Sequence, residues 1–155
     1  MTLTKQTQKI FQIMFVGWLV VVVLIHLTAD FSMIPVFPGF LNDLAALDWL
    51  WHFLLIGFIG FFTPFIPIRT ISLKTLQIPL TLLILIVAVI IEESTQIFRV
   101  NRGFSFIDMT ANVLGLIFYW RLMNTQRMQD FANRFALRVL RVTSSANKGY
   151  KTKVL

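Results

Sequence analysis

The sequence predicts an all-α membrane protein: a four-span transmembrane helix bundle followed by a C-terminal amphipathic helix on the cytoplasmic side. Three observations carry this prediction. Hydrophobic residues make up 57% of the 155-residue chain and its mean hydropathy is +0.77, well above a soluble domain, which is nearer half apolar. The apolar residues fall into four runs long enough to cross a bilayer. The Lys and Arg residues, which leave a net charge of +7, sit almost entirely on one side of those runs.

The first run extends from Ile10 to Thr28, which at 1.5 Å per residue covers roughly 28 Å, close to the hydrocarbon thickness. Lys5 and Lys9 precede it, as they would in a signal peptide. The run is longer than a signal-peptide core, and only a weak small-residue site (Leu27-Thr28-Ala29) follows it, so an uncleaved anchor is expected. Between Asp30 and Leu47, Pro35, Pro38 and Gly39 break any long helix, and Asn42 is placed to cap a short one. Met33, Ile34, Val36, Phe37 and Phe40 keep this loop in the membrane interface.

The second span runs from about Leu47 to Ile66, interrupted by Pro64 and ended by Pro67. The third runs from about Leu76 to Ile91. The fourth runs from about Phe106 to Met123 and is the least apolar, because Asp108 and Asn112 lie near its start. Of the 14 Lys and Arg residues, two precede the first span, two lie between the second and third, and eight follow from Arg121 onward. The opposite side has only Arg99 and Arg102. This positive-inside bias places the chain in the plasma membrane with both termini in the cytoplasm.

The organisation is therefore a cytoplasmic N-terminus (1–9), a transmembrane domain (10–123), an amphipathic surface helix (124–143) and a disordered basic tail (144–155). Within the surface helix, Arg127, Asp130, Arg134, Arg138 and Arg141 share one side, and Met128, Phe131, Ala132, Phe135, Val139 and Val142 share another. Such a helix should lie among headgroups and be drawn to anionic lipid. Docking on a partner's acidic helix is the alternative. Nucleic acid is a poor partner for so apolar a chain. The absence of cysteine excludes disulfides, thiolate metal ligands and a Cys nucleophile.

The alternation of spans brings distant polar residues to one membrane level. Asp48 and His52 open the second span from outside, Glu92 and Glu93 close the third, and Asp108 and Asn112 open the fourth. Asp48 and His52 are one turn apart on a helix, Glu93 and Gln96 nearly so, and Asp108, Asn112 and Gly115 form an i, i+4, i+7 stripe. Gly115 would let another helix approach closely. Ser105 and Asp108 have the spacing of a helix cap. Arg102, in the loop above, has the fork geometry to pair a carboxylate or a phosphate. Polar groups at this depth are costly and call for partners or a job.

Glu93-x-x-Gln96, Arg102, Ser105, Asp108, Asn112 and Gly115 together resemble the signature of the VanZ-like family of small bacterial membrane proteins, named for a teicoplanin-resistance protein. Asp48-Trp49-x-x-His52-Phe53 is similar to that family's upstream Asp-Lys-x-x-His-Phe element, with Trp49 in place of the usual Lys. The resemblance covers roughly residues 45 to 120. It implies a multi-span envelope protein, linked in some members to lipoglycopeptide resistance, and it implies no single reaction.

Each group also has a plain structural reading. Asp108 and Asn112 can tie helix ends together, and His52 can be an interfacial imidazole held by Asp48. The chemical reading makes His52 a base tuned by Asp48, for acid–base or metal chemistry. Glu92 and Glu93 diverge by about 100° on a helix; the family pattern selects Glu93 for the cluster and leaves Glu92 to solvent or headgroups. His26 and Asp30, at the end of the first span, read as ordinary interface chemistry. One His with two or three carboxylates could hold Mg²⁺ or Mn²⁺ through oxygen ligands and waters, but no His-x-x-x-His or Asp-x-Asp spacing supports such a centre; no metal ligand is assigned and the cofactor is left open. Ser105 has no nucleophile-elbow sequence around it.

Two functions compete. In one, Asp48, Gln96, Arg102, Ser105 and Asn112 help bind an envelope lipid headgroup or a lipoglycopeptide without turnover. In the other, Glu93, His52 and Asp108 perform acid–base catalysis on a lipid-linked phosphate or sugar intermediate. A transporter is a distant third, since four spans leave little room for a pathway.

Overall fold

The computed structural model describes residues 5–30, 48–66, 68–73, 76–98 and 104–151. Pro35, Pro38, Gly39, Asn42, Pro67, Lys74, Arg99, Arg102 and the residues after Lys151 lie outside them. The described chain is mostly helical. Its elements are α1 (Lys5–Asp30), α2 (Asp48–Phe65), β1 (Thr70–Leu73), β2 (Leu76–Pro79), α3 (Leu80–Thr95), α4 (Phe106–Met123) and α5 (Gln126–Lys151). Three stretches are long and apolar enough to cross a membrane: Lys5–His26, Asp48–Phe65 and Leu80–Phe98. Helix α4 has the bounds expected of a fourth span but falls short of the hydropathy of those three.

Burial follows an inside-out pattern. Ile13, Val16, Leu24, Ile84, Val87, Leu114 and Phe118 are exposed, whereas Thr7, His52, Thr63, Thr81, Glu93, Gln96 and Asn112 are buried. In water such an apolar exterior would be a liability; against lipid it is the favourable surface.

The third span starts at Leu80, not Leu76. Residues Leu76–Pro79 instead pair with Thr70–Leu73 in an antiparallel hairpin, Thr70 opposite Pro79 and Leu73 opposite Leu76. Pro79 sets the boundary. It has no backbone N–H and is extended (φ −62°, ψ 133°) at the position before the helix. At its other end α3 runs on to Thr95, so Glu92 and Glu93 are helical.

Helix α2 is wound unevenly. After one α-helical turn, Asp48–Trp51, it widens to a π segment over His52–Ile56 and tightens to a 3-10 segment over Gly57–Phe65, with Pro64 inside. Helix α1 donates to two carbonyls of this irregular helix: Trp18 Nε1 to Leu55 O and Gln12 Nε2 to Phe65 O, both at 3.1 Å. These contacts, with His26 beside His52, make α1 and α2 antiparallel.

Helix α4 lies at the centre, with Ala111, Asn112, Leu116, Trp120 and Met123 buried. Helices α2 and α4 run parallel in near-backbone contact. A Cβ on Gly57 would stand 2.7 Å from Gly115 Cα, and one on Gly115 would stand 2.6 Å from Phe53 O. Only glycine fits this crossing. At the far end Phe11 stacks on Phe65 with ring centroids 4.1 Å apart.

Helix α5 docks on α1 through Thr7 Oγ1, which donates to Asn133 Oδ1 at 3.0 Å, and through buried Ala132 and Ala136. Ala132 therefore packs inside the protein instead of joining the outward apolar stripe. Its small side chain lets the helices approach. The stripe left exposed is Phe131, Phe135 and Val142. The helix also continues to Lys151, into the stretch expected to be disordered.

Candidate functional site

Because α2 and α4 are parallel and pressed together at Gly57 and Gly115, their first turns lie side by side. Asp48 and His52 on α2 therefore face Asp108 and Asn112 on α4. One ligand-capable atom from each of Asp48, His52 and Asp108 lies within 4.8 Å of the other two. Asp48 is exposed, Asp108 is half-buried and His52 is only 7% exposed. The cluster thus opens outward from a buried imidazole.

The orientation of that imidazole is fixed. His52 Nδ1 lies 3.2 Å from Asn112 Oδ1. With Oδ1 as the acceptor, Nδ1 is the donor, and in the neutral ring the lone pair then lies on Nε2. Asn112 is wholly buried, and its Nδ2 has no hydrogen-bond partner among the described residues. His52 also begins the π segment of α2, a winding often found where a helix is bent to functional use.

A second imidazole joins the group. The His26 ring packs edge-on against His52 with centroids 6.1 Å apart, and His26 Nδ1 donates to Val22 O at 3.0 Å. The sequence reading left His26 to interface chemistry; the antiparallel packing of α1 on α2 brings it to the site.

The Glu93 corner is built differently. Glu93 is 1% exposed. Its Oε1 accepts from Ser105 N at 3.3 Å and its Oε2 from Gln96 Nε2 at 3.3 Å. Ser105 in turn caps α4, its Oγ accepting from Asp108 N at 3.2 Å. Glu93, Gln96 and Ser105 thus join the end of α3 to the start of α4 and position Asp108.

Glu92 is not left to solvent. Gln96 Nε2 also donates to Glu92 Oε1 at 3.2 Å, and Glu92 Oε2 is buried without a partner. Gln96 is i+3 from one glutamate and i+4 from the other, so both are its neighbours on the helix.

Of the sequence-predicted site residues, Asp48, His52 and Asp108 gather within 4.8 Å and His52 touches Asn112, while Glu93, Gln96 and Ser105 form the adjoining support. Arg102 lies outside the described residues. Compared with models of protein families, with curated proteins and with solved structures, the chain matches none.

Proposed function

We propose that this chain is a four-span, VanZ-like integral membrane protein of the bacterial cell envelope. Its polar site binds an envelope lipid headgroup or a lipoglycopeptide at the extracytoplasmic face, in some settings contributing to glycopeptide resistance. The observation that carries the reading is the meeting of Asp48, His52, Asp108 and Asn112, open to the surface at one end of an otherwise apolar bundle. A wholly buried amide with a free N–H group, beside two outward carboxylates, suits a polar ligand better than it suits packing.

The family assignment rests on Glu93, Gln96, Ser105, Asp108, Asn112 and Gly115, with Trp49 as the departure. The orientation rests on charge. Exposed Lys5, Lys9, Arg69 and Arg121 and the Arg127, Arg134, Arg138 and Arg141 face of α5 lie toward the end opposite the site. Helix α5 then lies on the cytoplasmic leaflet, with Phe131, Phe135 and Val142 in the acyl boundary and the arginines on anionic headgroups.

The test is native mass spectrometry of the full chain purified in mild detergent. Wild type should retain phospholipid that Asp48→Asn and Asp108→Asn lose, while Asp130→Asn on α5 retains it. Equal retention by all four proteins removes the headgroup site. Because the chain has no cysteine, single-cysteine variants report topology. Trp49→Cys should react with an impermeant maleimide in intact cells, and Ser145→Cys only after lysis.

The enzymatic alternative draws on one observation, the buried His52 ring held through Nδ1 by Asn112 Oδ1 beside two carboxylates. It requires turnover of a lipid-linked substrate that is lost in His52→Gln.

A further inference from the structure

We infer that Asp48, His52 and Asp108 form a divalent-cation site, and that the cation is what allows an acidic cluster to hold an anionic headgroup. The second half of this inference rests on the headgroup reading above.

The ligand set comes first. Two carboxylates and one imidazole, each offering an atom within 4.8 Å of the others, combine hard oxygen with borderline nitrogen donors. That mixture suits Mn²⁺ and Zn²⁺, with water completing the coordination. Among the described residues, no hydrogen bond or ion pair reaches the side chain of Asp48 or Asp108, whereas Glu93 nearby accepts from both Gln96 and Ser105.

The second observation is independent of the acids. His52, more than nine-tenths buried, contacts Asn112 Oδ1 through Nδ1, so that in the neutral ring Nε2 is the nitrogen open to a metal, with no protein donor on it among the described residues. A ligating histidine characteristically has its other nitrogen held by an oxygen acceptor in this way. Asn112 is wholly buried and its Nδ2 has no acceptor. Since Nδ2 belongs to the same amide as the Oδ1 that touches His52, it lies beside the cluster, where a metal-bound water or a ligand oxygen would satisfy it.

The sign of the charge points the same way. Two carboxylates at the mouth of the site repel a phosphate. A divalent ion between them reverses the local potential and offers open positions to phosphate oxygens.

The experiment titrates Mn²⁺ or Zn²⁺ alone into the full chain, purified in detergent and stripped with EDTA. Mn²⁺ is followed by electron paramagnetic resonance and Zn²⁺ by calorimetry. One ion per chain is expected for at least one of the metals. Asp48→Asn and Asp108→Asn should each weaken its binding by about tenfold or more. Asn112→Ala, a positioning change, should weaken it about 10- to 100-fold. Asp130→Asn should bind as wild type does. If Mn²⁺ is the ion bound, its nitrogen hyperfine coupling should vanish in His52→Gln. Size-exclusion profiles matching wild type establish that the variants are folded.

Absence of binding by wild type, or binding unchanged in both Asp→Asn variants, overturns the site. Native mass spectrometry with and without EDTA separates the two halves. Phospholipid lost in EDTA and restored by the bound metal supports the bridging role. Metal binding with phospholipid retained equally in EDTA leaves the cation site and removes that role. Phospholipid lost in Asp108→Asn without any metal binding removes the cation and leaves the headgroup reading.

Discussion

Glu93 and Asp108 lie at the same end of the bundle, on the facing ends of α3 and α4, yet their surroundings differ. Glu93 is enclosed, and its two oxygens accept from Ser105 N and Gln96 Nε2. Asp108 is half-exposed, its backbone N–H is capped by Ser105, and its carboxylate stands within 4.8 Å of Asp48 and His52. The first acid holds a loop against a helix start. The second is presented by that arrangement. A buried acid with its lone pairs filled works for the fold, whereas an acid held in place but left unpaired is available to a ligand.

The change that should disturb both corners most is Gly115→Val. Its Cβ would meet Phe53 O at 2.6 Å and Gly57 Cα at 2.8 Å, backbone atoms that cannot move aside. We expect a loss of about 3 kcal/mol or more, read as a lowered unfolding midpoint in mixed micelles. A normal midpoint would mean that the glycine contact is not what aligns α2 with α4.

Glu93→Ala comes next, at about 2–3 kcal/mol, because Ser105 N–H would be left without its acceptor in a buried site and Gln96 Nε2 would keep only Glu92 Oε1. The same assay on Ser105→Ala should show about 1 kcal/mol, the usual worth of a cap. Asp48→Asn should stay within about 0.5 kcal/mol of wild type, since it removes no hydrogen bond or ion pair among the described residues. If Asp48→Asn destabilised as much as Glu93→Ala, the division between supporting and presented acids would fail.

Much of this was legible from hydropathy and charge alone. The helices appear near their expected places because each is an apolar run bounded by Pro or polar residues, and the bounds of α4 coincide with the expectation. The meeting of Asp48, His52, Asp108 and Asn112 follows from the alternation of the helices, which returns the chain to one end of the bundle at every second helix. The hairpin was hidden because Leu76 and Ile78 extend the apolar run of α3 backwards across Gln77 and Pro79. The π and 3-10 winding of α2 leaves no mark on composition.

His26 was missed because its neighbour is on another helix, and no linear spacing records that contact. The separate duties of Glu93 and Asp108 depend on distances to Ser105, Gln96 and His52. A signature can bring those residues to notice, but it cannot divide the labour among them. The same holds for the cation set. His52 and Asn112 are 60 positions apart, so no short ligand motif exists to be found.

The two hydrogen bonds from Trp18 and Gln12 to the carbonyls of Leu55 and Phe65 carry a mechanical consequence. Sliding or rotating α1 against α2 would break both contacts. They therefore favour one axial register of the pair, the register that sets His26 beside His52.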